Sequence, residues 1–153
     1  WLLAQKLRDK WPMCYHVSLN KPKDTIENRY KAKIPQGLNY EPKEHISAFE
    51  GMNLLIITNE NNLLINSAKW GIIPSWAVNK PDFNSNNTLN AKIESIFEKP
   101  SFKDIAVNQR ALIITDGFFE WHLKNKQKIP WKIKSKNSEF TSLAGIFNKN
   151  SNT

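Results

Sequence analysis

From Asn53 to Thr58 the chain reads Asn-Leu-Leu-Ile-Ile-Thr, and from Leu63 to Trp70 it returns as Leu-Leu-Ile-Asn-Ser-Ala-Lys-Trp, with Asn59-Glu60-Asn61-Asn62 between. Two short runs rich in Leu and Ile, joined by a polar turn, read as a β-hairpin rather than a helix. The surrounding stretches have the same character. Tyr15 to Leu19 alternates Tyr, Val and Leu with His and Ser, and Ile46 to Phe49 is a further candidate strand. Arg110 to Thr115 reads as a buried strand, Asp116-Gly117 as a turn, and Phe118 to His122 as the strand that pairs back. Lys124 to Lys128 is a basic turn. Pro130 to Lys134 and Phe140 to Leu143 then suggest a second hairpin, closing at Ala144-Gly145-Ile146-Phe147.

Helical patterns are short and fall between these hairpins. Lys21 to Lys33 has Ile26 and Tyr30 four apart as its buried stripe, with Asn20 as N-cap and Pro22 at an early position. Asn90 to Phe97 puts Ile93, Ile96 and Phe97 on one helical face before Pro100 interrupts, and Ser101 to Ile105 adds a turn. Trp1 to Lys10 is also periodic, with Leu3, Leu7 and Trp11 on one face until Pro12. Gly71 to Thr88 is a long loop rich in Pro, Asn and Ser, and loops of that length are often functional. The pattern predicts an α+β fold: an antiparallel or mixed, barrel-like β-sheet with short helices between hairpins. With 153 residues and no internal repeat, one domain is expected.

A net charge of +8 favours a polyanionic partner, nucleic acid before membrane. No apolar run reaches the roughly 18–20 residues that a membrane-spanning helix needs. Cys14 is the only cysteine, which excludes an internal disulfide framework and a CxxC zinc site and fits a reducing cytoplasm. No metal and no cofactor is expected. Cys14-x-His16 is a weak metal pair without a third ligand, and a Cys14–His122 nucleophile–base dyad has no order signature to support it.

Cys14 follows Met13, a candidate start residue. Removal of Met13 leaves a free α-amine beside the thiol, and a 1,2-aminothiol reacts with an aldehyde as no internal cysteine does. The amine forms a Schiff base, and the thiol closes a five-membered thiazolidine. Three later segments complete such a site. Glu120 lies between Phe119 and Trp121 on a strand, so aromatic neighbours desolvate its carboxyl and favour acid–base work near neutrality. Asn90 either caps a helix or points its amide into a cleft. Lys92, Lys99, Lys103 and Arg110 suit phosphates, and Trp70 and Trp76 bracket a loop from which they can stack on bases. The bland alternatives are core tryptophans, a solvated charged face, a Glu120 that reaches water from a strand edge and a Cys14 that is only a small buried hydrophobe.

Taken together, these stretches resemble the SRAP family, the SOS response-associated peptidase domain. The matching residues are Met13-Cys14, Trp70-Gly71-Ile72-Ile73-Pro74-x-Trp76, Asn90-Ala91-Lys92 with Glu94, and Pro100-x-Phe102. Arg110-x-Leu112, Gly117-Phe118-Phe119-Glu120-Trp121, Pro130 and Ala144-Gly145 follow in order. The resemblance implies a cytoplasmic, monomeric sensor of abasic sites in single-stranded DNA, at the nucleoid when DNA-bound. It implies a covalent crosslink from an N-terminal cysteine to the ring-opened sugar and an associated autopeptidase activity. Cys14 is then the nucleophile, Glu120 the proton shuttle, and Asn90 the residue that holds the Cys14 amine or the sugar. Trp76 and the Pro74 loop wedge beside the lesion, and Trp70, Lys103 and Arg110 join the DNA surface. Lys92 stands where the family usually has arginine, and so lacks the bidentate fork. Residues 1–12 read as an extension of unclear origin before an SRAP-like domain at 13–153. A C-terminal part carrying a family histidine is expected beyond Thr153, and the family's Asn-x-x-Pro stretch before the first hairpin is missing. A non-catalytic module for single-stranded nucleic acid, or a thiol peptidase acting only on its own N-terminus, are the competing readings.

Overall fold

A computed structural model describes residues 14–149, so the readings of residues 1–13 lie outside the described residues. Strands β1 (His16–Leu19), β2 (Lys43–Ser47), β6 (Gly117–Lys124) and β7 (Gln127–Ile133) form one antiparallel sheet in the order β2-β1-β6-β7. Strands β3 (Asn53–Thr58), β4 (Asn61–Lys69), β5 (Arg110–Ile113) and β8 (Leu143–Ile146) form a second, in the order β4-β3-β5-β8. Helices α1 (Lys23–Tyr30) and α2 (Lys103–Ala106) are short, and single 3-10 turns occur at Ala48–Glu50, Ser75–Ala77 and Ser85–Thr88. The fold is α+β as expected, with two open four-stranded sheets in place of a closed barrel. One core serves both: Val17, Leu19 and Ile46 of the first sheet cluster with Leu54, Ile56 and Ile65 of the second.

The Asn53–Thr58 hairpin forms as expected, but the next two do not. Arg110–Ile113 does not pair with the strand after it. Ile114 donates its N–H to Leu55 of β3, and Asp116, two residues on, donates to Ser18 of β1. The Asp116-Gly117 step is therefore a crossing from one sheet to the other, not a hairpin turn. Gly117 fits because a Cβ there would lie 2.9 Å from the Ile133 carbonyl oxygen on β7. Likewise β7 does not pair with the segment at 140–143. It folds back on β6 through a two-residue turn at Asn125 and Lys126, with φ 50° and 65°, the left-handed pair that a tight hairpin requires. β8 crosses to the other sheet and pairs with β5. The physical reason is burial: Ile114 is 1% exposed and sits in the shared core, and a direct β5–β6 hairpin would remove it from there.

Smaller shifts follow from local chemistry. Pro22, not Asn20, occupies the cap of α1, because the Asn20 amide N–H and side chain bind Asp116 and Glu44. The helix stops at Lys31, whose φ of 53° is left-handed. Ile26 is fully buried as expected. β2 begins earlier than the sequence suggests and ends at Ser47, whose hydroxyl accepts from the Phe49 N–H and starts a 3-10 turn. The helix expected from Asn90 is a series of turns, with Ser95 N–H bonded to the Lys92 carbonyl and Glu98 N–H to the Ser95 carbonyl. Its expected apolar face has no core to meet: Ile93 is 64% exposed and Phe97 59%.

Asp116 ties the crossing to three strands. Its carboxylate accepts from the Ser18 hydroxyl, from the Asn20 N–H at 2.7 Å and from Lys132 at 3.2 Å, and Lys132 also reaches Glu44 at 2.6 Å. Burial alone would raise its pKa. The hydroxyl, the amide and the ammonium outweigh that and hold it below the usual carboxylate range. A depressed folded pKa gives stability that is present above the ordinary value and lost as pH falls through the folded one. Asp116→Asn should lower the unfolding free energy by about 2–4 kcal/mol at neutral pH, since it leaves Lys132 with one partner fewer. Urea denaturation checks this, and the difference should shrink in acid.

Candidate functional site

Cys14 sits just ahead of β1, partly buried against the core. The Asn90 side-chain amide donates to its carbonyl at 2.9 Å, and its thiol donates to the His16 carbonyl at 3.1 Å. Asn90 therefore does not cap a helix. It spans 76 residues of sequence to fix the main chain at Cys14. Burial pushes the Cys14 thiol up to about 11 from 9.0; backbone hydrogen bonds at His16 and Phe119 offset this only in part, and the Glu120 carboxylate adds to it. The thiol is thus protonated at neutral pH, unlike the low-pKa thiolates of cysteine nucleophiles that attack first.

Glu120 is 4% exposed, on the β6 face that also carries Phe118. Burial raises its carboxyl pKa. Phe119 and Trp121 lie on the opposite face, as strand alternation requires. There they meet a feature absent from the sequence reading: His16 and His45 stack with ring centroids 5.0 Å apart and Nδ1 to Nε2 at 2.9 Å. Trp121 packs edge-on to His16 at 4.5 Å, and Phe119 to His45 at 5.4 Å. Burial, then the neighbouring His45, lowers the His16 pKa. The pair was hidden because it joins positions 29 residues apart through the β1–β2 register. His16 therefore turns toward His45, and among the described residues no three His, Cys, Asp or Glu side chains form a metal-binding group.

The loop after β4 serves Asn90. Trp70 is half-buried against the core, and its indole N–H donates to the Leu89 carbonyl at 2.9 Å, one residue before Asn90. Gly71 is needed beside it: its φ is 110°, and a Cβ would come within 3.1 Å of the Ser85 carbonyl oxygen. Thr88 binds the Ile72 carbonyl at 2.6 Å, and Asn148 binds that of Ile73 at 2.7 Å. Pro74 is buried, and its carbonyl accepts from the Ala77 N–H. Trp76, by contrast, is 47% exposed. Lys80 lies over its ring at 5.0 Å and Phe83 meets it edge-on. Lys92 is exposed two residues from Asn90, while Lys103 on α2 and Arg110 on β5 are exposed on separate elements. The structure thus brings Cys14, Asn90 and Glu120 together and makes Trp70 a support for the group rather than a free stacking surface.

This pairing of two open antiparallel sheets with a cysteine at the mouth of β1 has a family. The chain belongs to the SOS response associated peptidase (SRAP) family, whose profile matches residues 13–153. It is similar to the abasic site processing protein YoqW of Bacillus subtilis, 34% identical over 90% of this chain and 61% of that protein. The abasic site processing protein YMR114C of Saccharomyces cerevisiae is 24% identical over 95% of this chain and 40% of its own length. A crystal structure of a Bacteroides thetaiotaomicron protein superimposes with a TM-score of 0.75 at 30% identity, covering 87% of this chain and 59% of that one. The chain spans about three fifths of the length of the Bacillus relative.

Proposed function

We propose that this chain senses abasic sites in single-stranded DNA and bonds to them covalently through Cys14. The observation that carries the reading is the placement of Cys14: its carbonyl is clamped by Asn90, and its protonated thiol lies beside a buried carboxyl. The free α-amine of Cys14 attacks the aldehyde carbon of the ring-opened sugar and gives a carbinolamine. Glu120, as the acid, protonates the departing hydroxyl, and one water leaves as the imine forms. The imine keeps its N–H as an iminium; Glu120, now a carboxylate, takes the thiol proton while sulfur attacks the iminium carbon, and the C=N electron pair returns to nitrogen. The product is a thiazolidine with the loss of one water overall. An α-amine titrates at about 7.7–8.0, so enough of it is neutral at pH 7 to act first. A thiol with a pKa of about 11 suits second place, because it needs a base only when the imine is ready.

The same site would release its own α-amine, water hydrolysing the amide bond ahead of Cys14. Trp76 and the Pro74 loop, with Lys92, Lys103 and Arg110, serve as DNA contacts, and Trp70 braces Asn90 through the Leu89 carbonyl. Protein beginning at Cys14, incubated with a single strand holding one abasic site, should give a heat-stable adduct. Salt-dependent binding with no adduct would replace this reading with that of a non-catalytic module.

Asn90→Ala removes the clamp but no reacting atom. Adduct formation at saturating DNA should slow by about tenfold, the equivalent of one hydrogen bond of roughly 1.4 kcal/mol. Affinity for undamaged strand should stay within about twofold, which separates positioning from binding. Quenched time courses read the first quantity and fluorescence anisotropy the second.

A further inference from the structure

The face of β6 that carries Glu120 does not end at the buried carboxyl. Phe118 packs on the core, Glu120 is buried, and His122 and Lys124 emerge into solvent along the same face. The β7 register sets Trp131 opposite Glu120 and Ile129 opposite His122, so these side chains share that face. Trp131 lies on the edge strand and is 54% exposed. It meets His122 edge-on, with ring centroids 5.7 Å apart. Around it the hairpin is cationic: Lys124, Lys126 and Lys128 are all exposed, and Glu120 is the only acidic residue from Gly117 to Ile133. A half-exposed indole braced by a second ring, among lysines and adjoining a buried carboxyl, suits a planar group attached to an anionic chain.

We propose that the Trp131–His122 face of the β6–β7 hairpin is a stacking seat for the base of a nucleotide next to the one at Glu120, with Lys124 and Lys128 on its phosphates. This rests on the reading of Glu120 as the reacting site for a DNA strand. It adds a base-recognition surface on the hairpin, an element separate in the chain from the Trp76 loop. The seat would make crosslinking sensitive to the presence of a base on one side of the lesion, without reading its identity, because every base offers a ring face.

Anisotropy of the full chain with a labelled, undamaged single-stranded oligonucleotide tests the seat without any crosslinking. Trp131→Ala should weaken binding by about tenfold. Trp131→Phe, which keeps a ring, should stay within about threefold of the unaltered chain. Replacing Lys124 and Lys128 by Gln should reduce the salt slope by about 1.4, two phosphates' share for a single strand. Equal affinity of Trp131→Ala and the unaltered chain, at matched thermal stability, would overturn the seat. If such a chain still forms adducts, only the seat fails. If the unaltered chain forms none while Trp131→Ala loses affinity, the crosslinking reading fails and the seat stands.

Discussion

Glu120→Gln slows adduct formation on abasic single-stranded DNA by about 10²–10⁴-fold, the range set by loss of one positioned acid–base group. The replacement keeps the shape and removes both proton roles, the acid that helps water leave and the base that takes the thiol proton. Its pH profile is the sharper readout. The proposed mechanism requires a neutral amine and a protonated Glu120. Below the raised pKa of Glu120 the rate climbs with pH as the amine deprotonates. Between that pKa and the amine's, about 7.7–8.0, gain of free amine cancels loss of the acid and the rate is flat. Above the amine's pKa the rate falls. Glu120→Gln should erase the plateau and leave a rate that rises with pH until the amine is neutral. Stability moves the other way. A carboxyl whose folded pKa is raised gives stability that is full below its ordinary pKa and lost as pH rises through the folded value. The raised pKa of the buried Glu120 therefore costs stability at neutral pH, and Glu120→Gln should raise Tm there. A variant that is slower and less stable would mean that Glu120 holds the fold rather than moves protons.

Cys14→Ser separates the two nucleophiles of one residue. Its α-amine remains, so a Schiff base still forms and borohydride traps it. The hydroxyl is a far weaker closing group than sulfur, and the heat-stable adduct should fall to below about 1% of the unaltered yield, a loss on the scale of removing a nucleophile. Gel electrophoresis with and without the reductant shows both results. A heat-stable adduct of undiminished yield would place the linkage on another residue. Loss of the trapped species as well would mean that sulfur, not nitrogen, makes the first bond.

The sequence is informative where a local pattern settles a structure and poor where a distant partner does. The Asn53–Thr58 strand and the buried stripe position Ile26 need only neighbours, and both stand as read. Glu120 is legible only in part: alternation along one strand separates it from Phe119 and Trp121, but a glutamate on a strand reaches water as readily as it is buried, and its 4% exposure comes from packing that the local pattern does not fix. Asp116-Gly117 looks like a hairpin turn because turn residues serve equally well at a crossing between sheets. What decides is Ser18 on one side and Leu55 on the other, neither near in sequence. Asn90 showed the same ambiguity, as its amide suits a helix cap or a distant carbonyl equally. The placement of Trp131, the proposed stacking residue, was within reach. A two-residue turn at Asn125-Lys126 fixes its partner as Glu120, whereas a broad basic turn over Lys124 to Lys128 leaves the register open.

The central claim is that the α-amine and the thiol of Cys14 act together on one carbon. Intact-mass measurement tests it most directly, on two forms of the chain offered the same abasic single strand: one beginning at Cys14, and the same one acetylated at that amine. The form with a free amine should gain the mass of the DNA less one water and keep it through heating, while the acetylated form should gain nothing. Equal adduct yield from both forms would contradict the claim, because a thiol alone would then suffice.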